Sequence, residues 1–176
     1  MRKKNKRVLV ILGGTSRERE VSLDSGKACV RSIRKIGYSV ALFDPSKKYF
    51  NEIDKSKVDI IFNALHGKGG EDGIAQSYFE YLRIPYTHSG VISSMNAMDK
   101  VISKKIFKKN KILTPKYFVL KKNEFNKKKF KKLLKKNKFK FPIVVKPSDE
   151  GSSIGVKICN NRSNLEREPS SLFKKF

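Results

Sequence analysis

Three stretches of the sequence bring together residue types that could do chemistry. The first is Gly13-Gly14-Thr15-Ser16-Arg17-Glu18-Arg19-Glu20-Val21-Ser22. Glycines closing an apolar run let the backbone turn sharply, and the N-terminus of a following helix offers free N–H groups to an anionic ligand. The stretch carries neither G-x-G-x-x-G nor a Lys-Ser/Thr pair after a second glycine, so no phosphate loop is assigned to it. Taken alone it reads as a strand-to-helix turn with Glu18 as a capping acid favoured by the helix dipole. The second is Ala64-Leu65-His66-Gly67-Lys68-Gly69-Gly70-Glu71-Asp72-Gly73, with four glycines in seven residues. That density costs conformational entropy on folding, so a mere connector would seldom use it. His66 directly follows an apolar run, where its imidazole can donate to a carboxylate. The third is Val144-Val145-Lys146-Pro147 followed by the loop Asp149-Glu150-Gly151-Ser152-Ser153-Ile154-Gly155. A lysine at a strand end can project its ammonium toward a phosphate, and a Gly/Ser loop can cover that phosphate with N–H and hydroxyl donors. The competing reading makes Lys146 one surface lysine among many. Asp99-Lys100 is the least specific pair.

Strands and helices must hold these stretches in place. Residues 7–12 form a short apolar, β-branched run ended by Gly13-Gly14, the pattern of a buried parallel strand. A helix follows, with Thr15 and Ser16 as caps, Glu18 completing a capping box, and Gly37 as its stop. Residues 38–43 and 58–65 supply two more strands, giving β-α-β-α-β order and hence a parallel sheet with ligands at the carboxyl ends of its strands. Residues 74–82 are expected to be helical, 84–87 a short strand and 91–109 a helix. Beyond these, 117–120 reads as a strand, 124–136 as a lysine-coated helix with Phe125, Phe130, Leu133 and Leu134 inward, and 142–146 and 156–159 as strands. After Asn160 the sequence offers one or two polar helical turns.

Composition excludes several classes. The 38% hydrophobic and 10% aromatic content of 176 residues suits a globular chain, and no apolar run approaches the ~20 residues of a membrane-spanning helix. Lys3, Lys4, Lys6 and Arg7 lead straight into the first strand, against a secretory signal. Cys29 and Cys159 match no metal spacing and are too few for a disulfide scaffold, which points to a reducing cytosol. The 41 Lys and Arg against 16 Asp and Glu give +25. Between Lys100 and Lys140 stand 18 lysines, no arginine and one acid, a net +17. Such a field suggests a polyanion, yet arginine is the better fork for phosphate and base edges, so a sequence-reading nucleic-acid site is not expected.

Taken in this order and spacing, the motifs resemble the D-alanine–D-alanine ligase family, ATP-grasp enzymes of peptidoglycan synthesis. The resemblance rests on Gly13 to Ser16 with Glu18-Arg19-Glu20-Val21-Ser22, on Ala64 to Gly67 with Gly69 to Gly73, on Ile84-Pro85-Tyr86-Thr87 with Ser89-Gly90-Val91, on Met98-Asp99-Lys100, and on Val145-Lys146-Pro147-Ser148 with Glu150 to Val156. It runs from about Val8 to Val156, and the residues from Asn160 onward do not visibly continue it. The resemblance implies an α/β fold: a Rossmann-like parallel-sheet, D-alanine-binding domain over residues 1–97, an incomplete α+β first ATP-grasp subdomain over 98–160, and an atypical polar and basic tail over 161–176. In the family, ATP phosphorylates the carboxylate of one D-alanine and the amine of a second attacks the acyl phosphate. Carried over to matching positions, Glu18 holds the first D-alanine's ammonium, His66 lies by its carboxylate, and Ser152 hydrogen-bonds with Glu18 in the substrate network. Lys100 and Lys146 contact ATP phosphates, with Gly151 and Ser153 on the covering loop, and the nucleotide site is expected between the two domains. Magnesium ligands are expected beyond Phe176, with none in this chain. His88 stands where the family usually has glycine. Family members are roughly twice as long, so a truncated form with little activity alone is expected. The resemblance also implies a homodimer for the complete protein, while composition points to a cytoplasmic chain without membrane attachment that binds nucleic acid only non-specifically. A D-alanine–D-lactate or other carboxylate–amine ligase and a non-catalytic basic nucleic-acid-binding protein are the alternatives.

Overall fold

The computed structural model describes residues 6–137 and 139–176, so Lys3 and Lys4 lie outside the described residues. The chain divides into two compact units, Met1–Lys100 and Val101–Phe176.

In the first unit, β1 (Arg7–Ile11) is followed by α1 (Arg19–Lys35), β2 (Ser39–Phe43), β3 (Ile60–Asn63), α2 (Ile74–Leu82) and α3 (Val91–Met98). The strands form a parallel sheet in the order β2-β1-β3, with Leu9 opposite both Ala41 and Ile61. Because successive side chains alternate across a strand, β1 feeds two cores. Leu9 and Ile11 pack with Phe43, Ile61, Ala75 and Phe79 on the α2 side, while Val8, Val10 and Leu12 pack with Val30 of α1 on the other. A strand buried on both faces reads as a continuous apolar run, which is why β1 was legible. The short strand expected at 84–87 is a single parallel bridge between Tyr86 and Ile61, with Ile61 N–H donating to the Pro85 carbonyl and Thr87 N–H to that of Ile61.

Helix α1 begins later than expected. Its N-cap residue is Glu18, which makes no side-chain cap bond. Ser16 Oγ instead accepts from Glu18 N–H at 3.1 Å and donates to the His66 carbonyl at 2.7 Å, so its hydroxyl serves the loop ahead of the helix. Gly37, at φ +90°, ends the helix by donating to the Arg34 carbonyl.

The second unit contains α4 (Lys100–Lys109, whose first residue closes the first unit), α5 (Lys127–Asn137), β4 (Ile143–Val145), β5 (Lys157–Cys159) and α6 (Arg162–Lys175). The helix expected over 91–109 is thus two helices, divided at Asp99. Strands β4 and β5 are antiparallel, with Val144 opposite Ile158. The core joins Phe130 of α5, Cys159 of β5 and Leu165 of α6, with Phe118, Leu120, Phe125, Ile143 and Val145 packed against it. Residues 117–120 are not a strand. Their alternation instead docks Phe118 against the rings of Phe130 and Phe139, at 6.1 and 5.3 Å. The segment after Asn160 is a 14-residue helix rather than one or two turns. Asn161 Oδ1 caps it by accepting from Asn164 N–H at 2.9 Å. Leu165 and Leu172 are buried two turns apart, and Phe173 meets Phe125 edge-on at 5.2 Å. That packing keeps the helix continuous through Pro169, although an interior proline costs a helix about 3 kcal/mol.

Candidate functional site

The carboxyl end of the parallel sheet holds two of the motifs. After β1, Gly13 (φ +83°) and Gly14 (φ +71°) turn the chain in the left-handed region that glycine reaches without strain. A side chain on Gly13 would lie 2.7 Å from both Arg19 Nη1 and Asp44 Oδ1. Those two residues form the clamp on this turn. Arg19 Nη2 pairs with Asp44 Oδ2 at 2.8 Å, Arg19 Nη1 donates to the Gly14 carbonyl at 2.7 Å, and Gly14 N–H donates to Asp44 Oδ1 at 3.0 Å. The guanidinium hydrogen bond, above all, holds the Asp44 carboxyl well below the usual carboxylate range. Ser22, fully buried on α1, accepts from Gly13 N–H at 2.8 Å and donates to the Ala64 carbonyl at 2.7 Å, tying the ends of β1 and β3 to the helix.

Glu18 is the unusual group. It is only 5% exposed, and its Oε1 has no hydrogen-bond partner. A buried carboxylate oxygen without a donor is costly, since burial strips its water. Gly67 (φ +69°) lies against it, so that a Cβ there would stand 2.7 Å from Oε1.

The glycine-rich loop after β3 is pinned along its length. Gly67 N–H donates to Glu71 Oε2 and Gly69 N–H to Asp72 Oδ2, each at 2.8 Å. From the buried side, Asn63 Nδ2 and Gln76 Nε2 both donate to the Gly70 carbonyl, at 2.9 and 2.8 Å. A Cβ on Gly70 would collide with that of Leu65, which explains a glycine there. His66 stands at the head of the loop, its Nε2 3.0 Å from Ser25 Oγ and its Nδ1 3.8 Å from Glu71 Oε1. A cavity of about 210 Å³ opens on this edge, lined by Gly13, Gly14, Ser16, Tyr49, His66 and Lys68 among others. Glu18 and His66 are therefore brought together in the first unit, joined through Gly67. His88 has φ +77°, a conformation glycine adopts freely, and its Nε2 lies 2.9 Å from the Asn63 carbonyl.

In the second unit, Lys146 follows β4 directly and is exposed. The following loop holds Ser152 (φ +42°) and Ser153 (φ +60°) consecutively in the left-handed region, with Ile154 N–H donating to the Gly151 carbonyl at 2.8 Å. This is the hydrogen bond of a mirror-image turn, whose central positions usually carry Gly or Asn. Gly155 lies against Pro147, where a Cβ would come within 2.9 Å, so the loop folds back beside Lys146. Lys100 is the half-buried first residue of α4. Lys104, which sequence reasoning passed over, donates to Thr114 Oγ1 at 2.5 Å and to the Pro115 carbonyl at 3.1 Å, and sits 5.0 Å over the Tyr117 ring. Burial first, and then the charge of Lys146, push its ammonium below the usual lysine value. Arg19, Asp44, Ser25 and Lys104 had no role legible in the sequence because each works through partners that only folding brings near.

Comparison with known proteins extends this picture. A family model described as the D-ala D-ala ligase N-terminus matches residues 43–89, and one described as the D-ala D-ala ligase C-terminus matches residues 106–175. The second match carries the family pattern through α6, beyond the Val156 limit expected from the motifs. The chain is 53% identical over 163 residues to the D-alanine–D-alanine ligase of Pelagibacter ubique, covering 92% of this chain and 52% of that protein. It is 42% identical over 168 residues to the one from Pseudoalteromonas translucida, covering 96% and 53%. Among solved structures, D-alanine–D-alanine ligase from Bacillus anthracis superposes with a TM-score of 0.81 at 39% identity, covering 97% of this chain and 54% of that one. The same enzyme complexed with ATP gives 0.77 at 35% identity, covering 97% and 55%. The chain spans about half the length of the curated relatives it matches.

Proposed function

Since the chain belongs to the D-alanine–D-alanine ligase family, we propose that it serves the ATP-dependent joining of two D-alanines for peptidoglycan synthesis. ATP transfers its γ-phosphoryl group to the carboxylate of the first D-alanine. The amine of the second then attacks that acyl phosphate, forming the peptide bond and releasing inorganic phosphate.

The observation that carries this reading is the buried Glu18 carboxylate, whose Oε1 lacks a donor. A charge kept in that state gains most from a cationic ligand, and the ammonium of D-alanine is one. His66, one residue before the glycine packed on Glu18, takes the carboxylate end, where Lys68 on the same cavity adds positive charge. In the second unit, Lys146 and the Gly151–Ser153 turn receive ATP phosphates. Two features support that role. The Lys104 ammonium is already disfavoured by the Lys146 charge, a repulsion that an intervening anion relieves. Two serines in a conformation that favours glycine, moreover, retain strain of the sort found at ligand-binding turns. Lys100 is assigned to ATP phosphate and Ser152 to the substrate network, both by family resemblance. Among the described residues no group of three or more His, Cys, Asp or Glu could hold a metal ion, and no step is routed through magnesium. The reading includes a cytoplasmic homodimer, and no helix among the described residues is long and apolar enough to cross a membrane.

Equilibrium titration of the purified chain tests this. Glu18→Gln is expected to weaken D-alanine binding about tenfold or more while sparing ATP, and Lys146→Ala to do the reverse, as loss of a charge-assisted hydrogen bond requires. A wild-type chain that binds neither ligand, or variants that weaken both equally, would overturn the assignment.

A further inference from the structure

The least expected neighbour of His66 is Ser25. It lies nearly two turns into α1, 41 residues away in sequence, and places its Oγ 3.0 Å from His66 Nε2. A serine hydroxyl has one proton to give and two lone pairs to receive with. Here the proton has a good acceptor within the helix, because Ser25 Oγ lies 2.8 Å from the Val21 carbonyl four residues earlier. With the proton committed there, Oγ must accept from the ring, so Nε2 carries the hydrogen. The other side of the imidazole agrees. The acidic oxygen facing Nδ1, Glu71 Oε1, stands at 3.8 Å, too far for a hydrogen bond. A neutral ring protonated at Nδ1 would leave that proton unpaired by Glu71 and force the serine to abandon Val21. The opposite tautomer satisfies both groups. Glu71 is itself anchored by the Gly67 N–H at its other oxygen, and the His66 carbonyl accepts from Ser16. The peptide unit between His66 and Gly67 is thereby held at both of its polar atoms.

We infer that Ser25 is a positioning residue for His66, holding the imidazole as the Nε2–H tautomer so that Nδ1 is the nitrogen open to a proton beside Glu71. For the D-alanine reading on which its use rests, this determines which nitrogen becomes charged. When the ring is cationic, the Nε2–H stays with Ser25, the new N–H is at Nδ1, and the imidazolium is placed at the cavity edge without turning. Histidine rings are fixed in this way when one nitrogen is given a dedicated partner and the other is left for chemistry.

The test is nitrogen NMR on the full chain labelled at histidine, in which His66 and His88 are the only two signals to separate. At a pH where the ring is neutral, His66 should show a pyrrole-type Nε2 and a pyridine-type Nδ1, with an Nε2 proton protected from exchange with water. Ser25→Ala, which suits a helix interior and should fold, is expected to lose that protection, and Ser25→Thr to restore it. In parallel, D-alanine titrated onto the same samples should bind about three- to tenfold more weakly to Ser25→Ala than to wild type, the effect of one neutral hydrogen bond, with ATP binding unchanged. A protonated Nδ1 in the neutral wild-type ring, or an Nε2 proton that exchanges alike in wild type and Ser25→Ala, overturns the inference. If the tautomer signature is as described but D-alanine leaves the His66 signals unmoved, the Ser25 assignment stands and the substrate reading of the cavity fails.

Discussion

At the scale of single residues, the first unit spends much of its polar chemistry on keeping two short turns in unusual shapes. Gly67 shows the cost of altering one. Its φ is +69°, and a methyl group added there would stand 2.7 Å from Glu18 Oε1. Gly67→Ala should therefore destabilise the fold by about 1–3 kcal/mol and abolish D-alanine binding, as urea unfolding and titration would show. The Asp44–Arg19 clamp makes a prediction in pH. Asp44 is held below its ordinary pKa by the guanidinium, so its contribution is present above the unfolded value of roughly 4 and is lost as pH falls toward the folded value. Asp44→Asn should therefore cost about 1–3 kcal/mol at neutral pH and much less in acid, flattening the acid limb of a stability–pH curve. A variant with an unchanged slope would show that the clamp contributes little.

Among the elements, the turn after β4 makes the clearest exchange of stability for shape. Ser152→Gly or Ser153→Gly should leave the thermal midpoint unchanged or raise it, by up to about 1 kcal/mol of stability, since left-handed backbone is free to glycine. His88 follows the same rule with one addition. His88→Ala keeps the φ of +77° and loses the hydrogen bond to Asn63, so it should melt below His88→Gly. Helix α6 is a core element, and Leu165→Ala should cost the second unit about 2–5 kcal/mol in amide-exchange protection. The central strand β1 was legible because its apolar run is buried on both faces, and α2 because residues 74–82 keep one periodic stripe. Residues 117–120 and α6 were not, since Phe118 and Leu165 owe their positions to Phe130 and Cys159 rather than to local pattern. For the site, glycine density marked the loop at His66, whereas Arg19 with Asp44 and Ser25 with His66 pair across 25 and 41 residues and leave no trace in spacing.

For the whole molecule, the dominant quantity is charge. A net +25, concentrated where α5 presents seven lysines and no acid, should give weak binding to duplex DNA that is indifferent to sequence and falls steeply with salt. Fluorescence titration at several ionic strengths measures that slope, and sequence-selective binding would contradict it. Against this large and adjustable surface stands one hydroxyl with almost no latitude. Ser22 receives from Gly13, gives to Ala64 and sits in a space without solvent, so alanine leaves two orphaned backbone groups and threonine adds a methyl with nowhere to go. Lysines on the surface can come and go over generations with little consequence. Ser22 is instead a bottleneck for drift: in a saturation-mutagenesis library selected for folded chains, nearly every survivor should still spell serine there, and lineages that diverge everywhere else should stay locked at this letter.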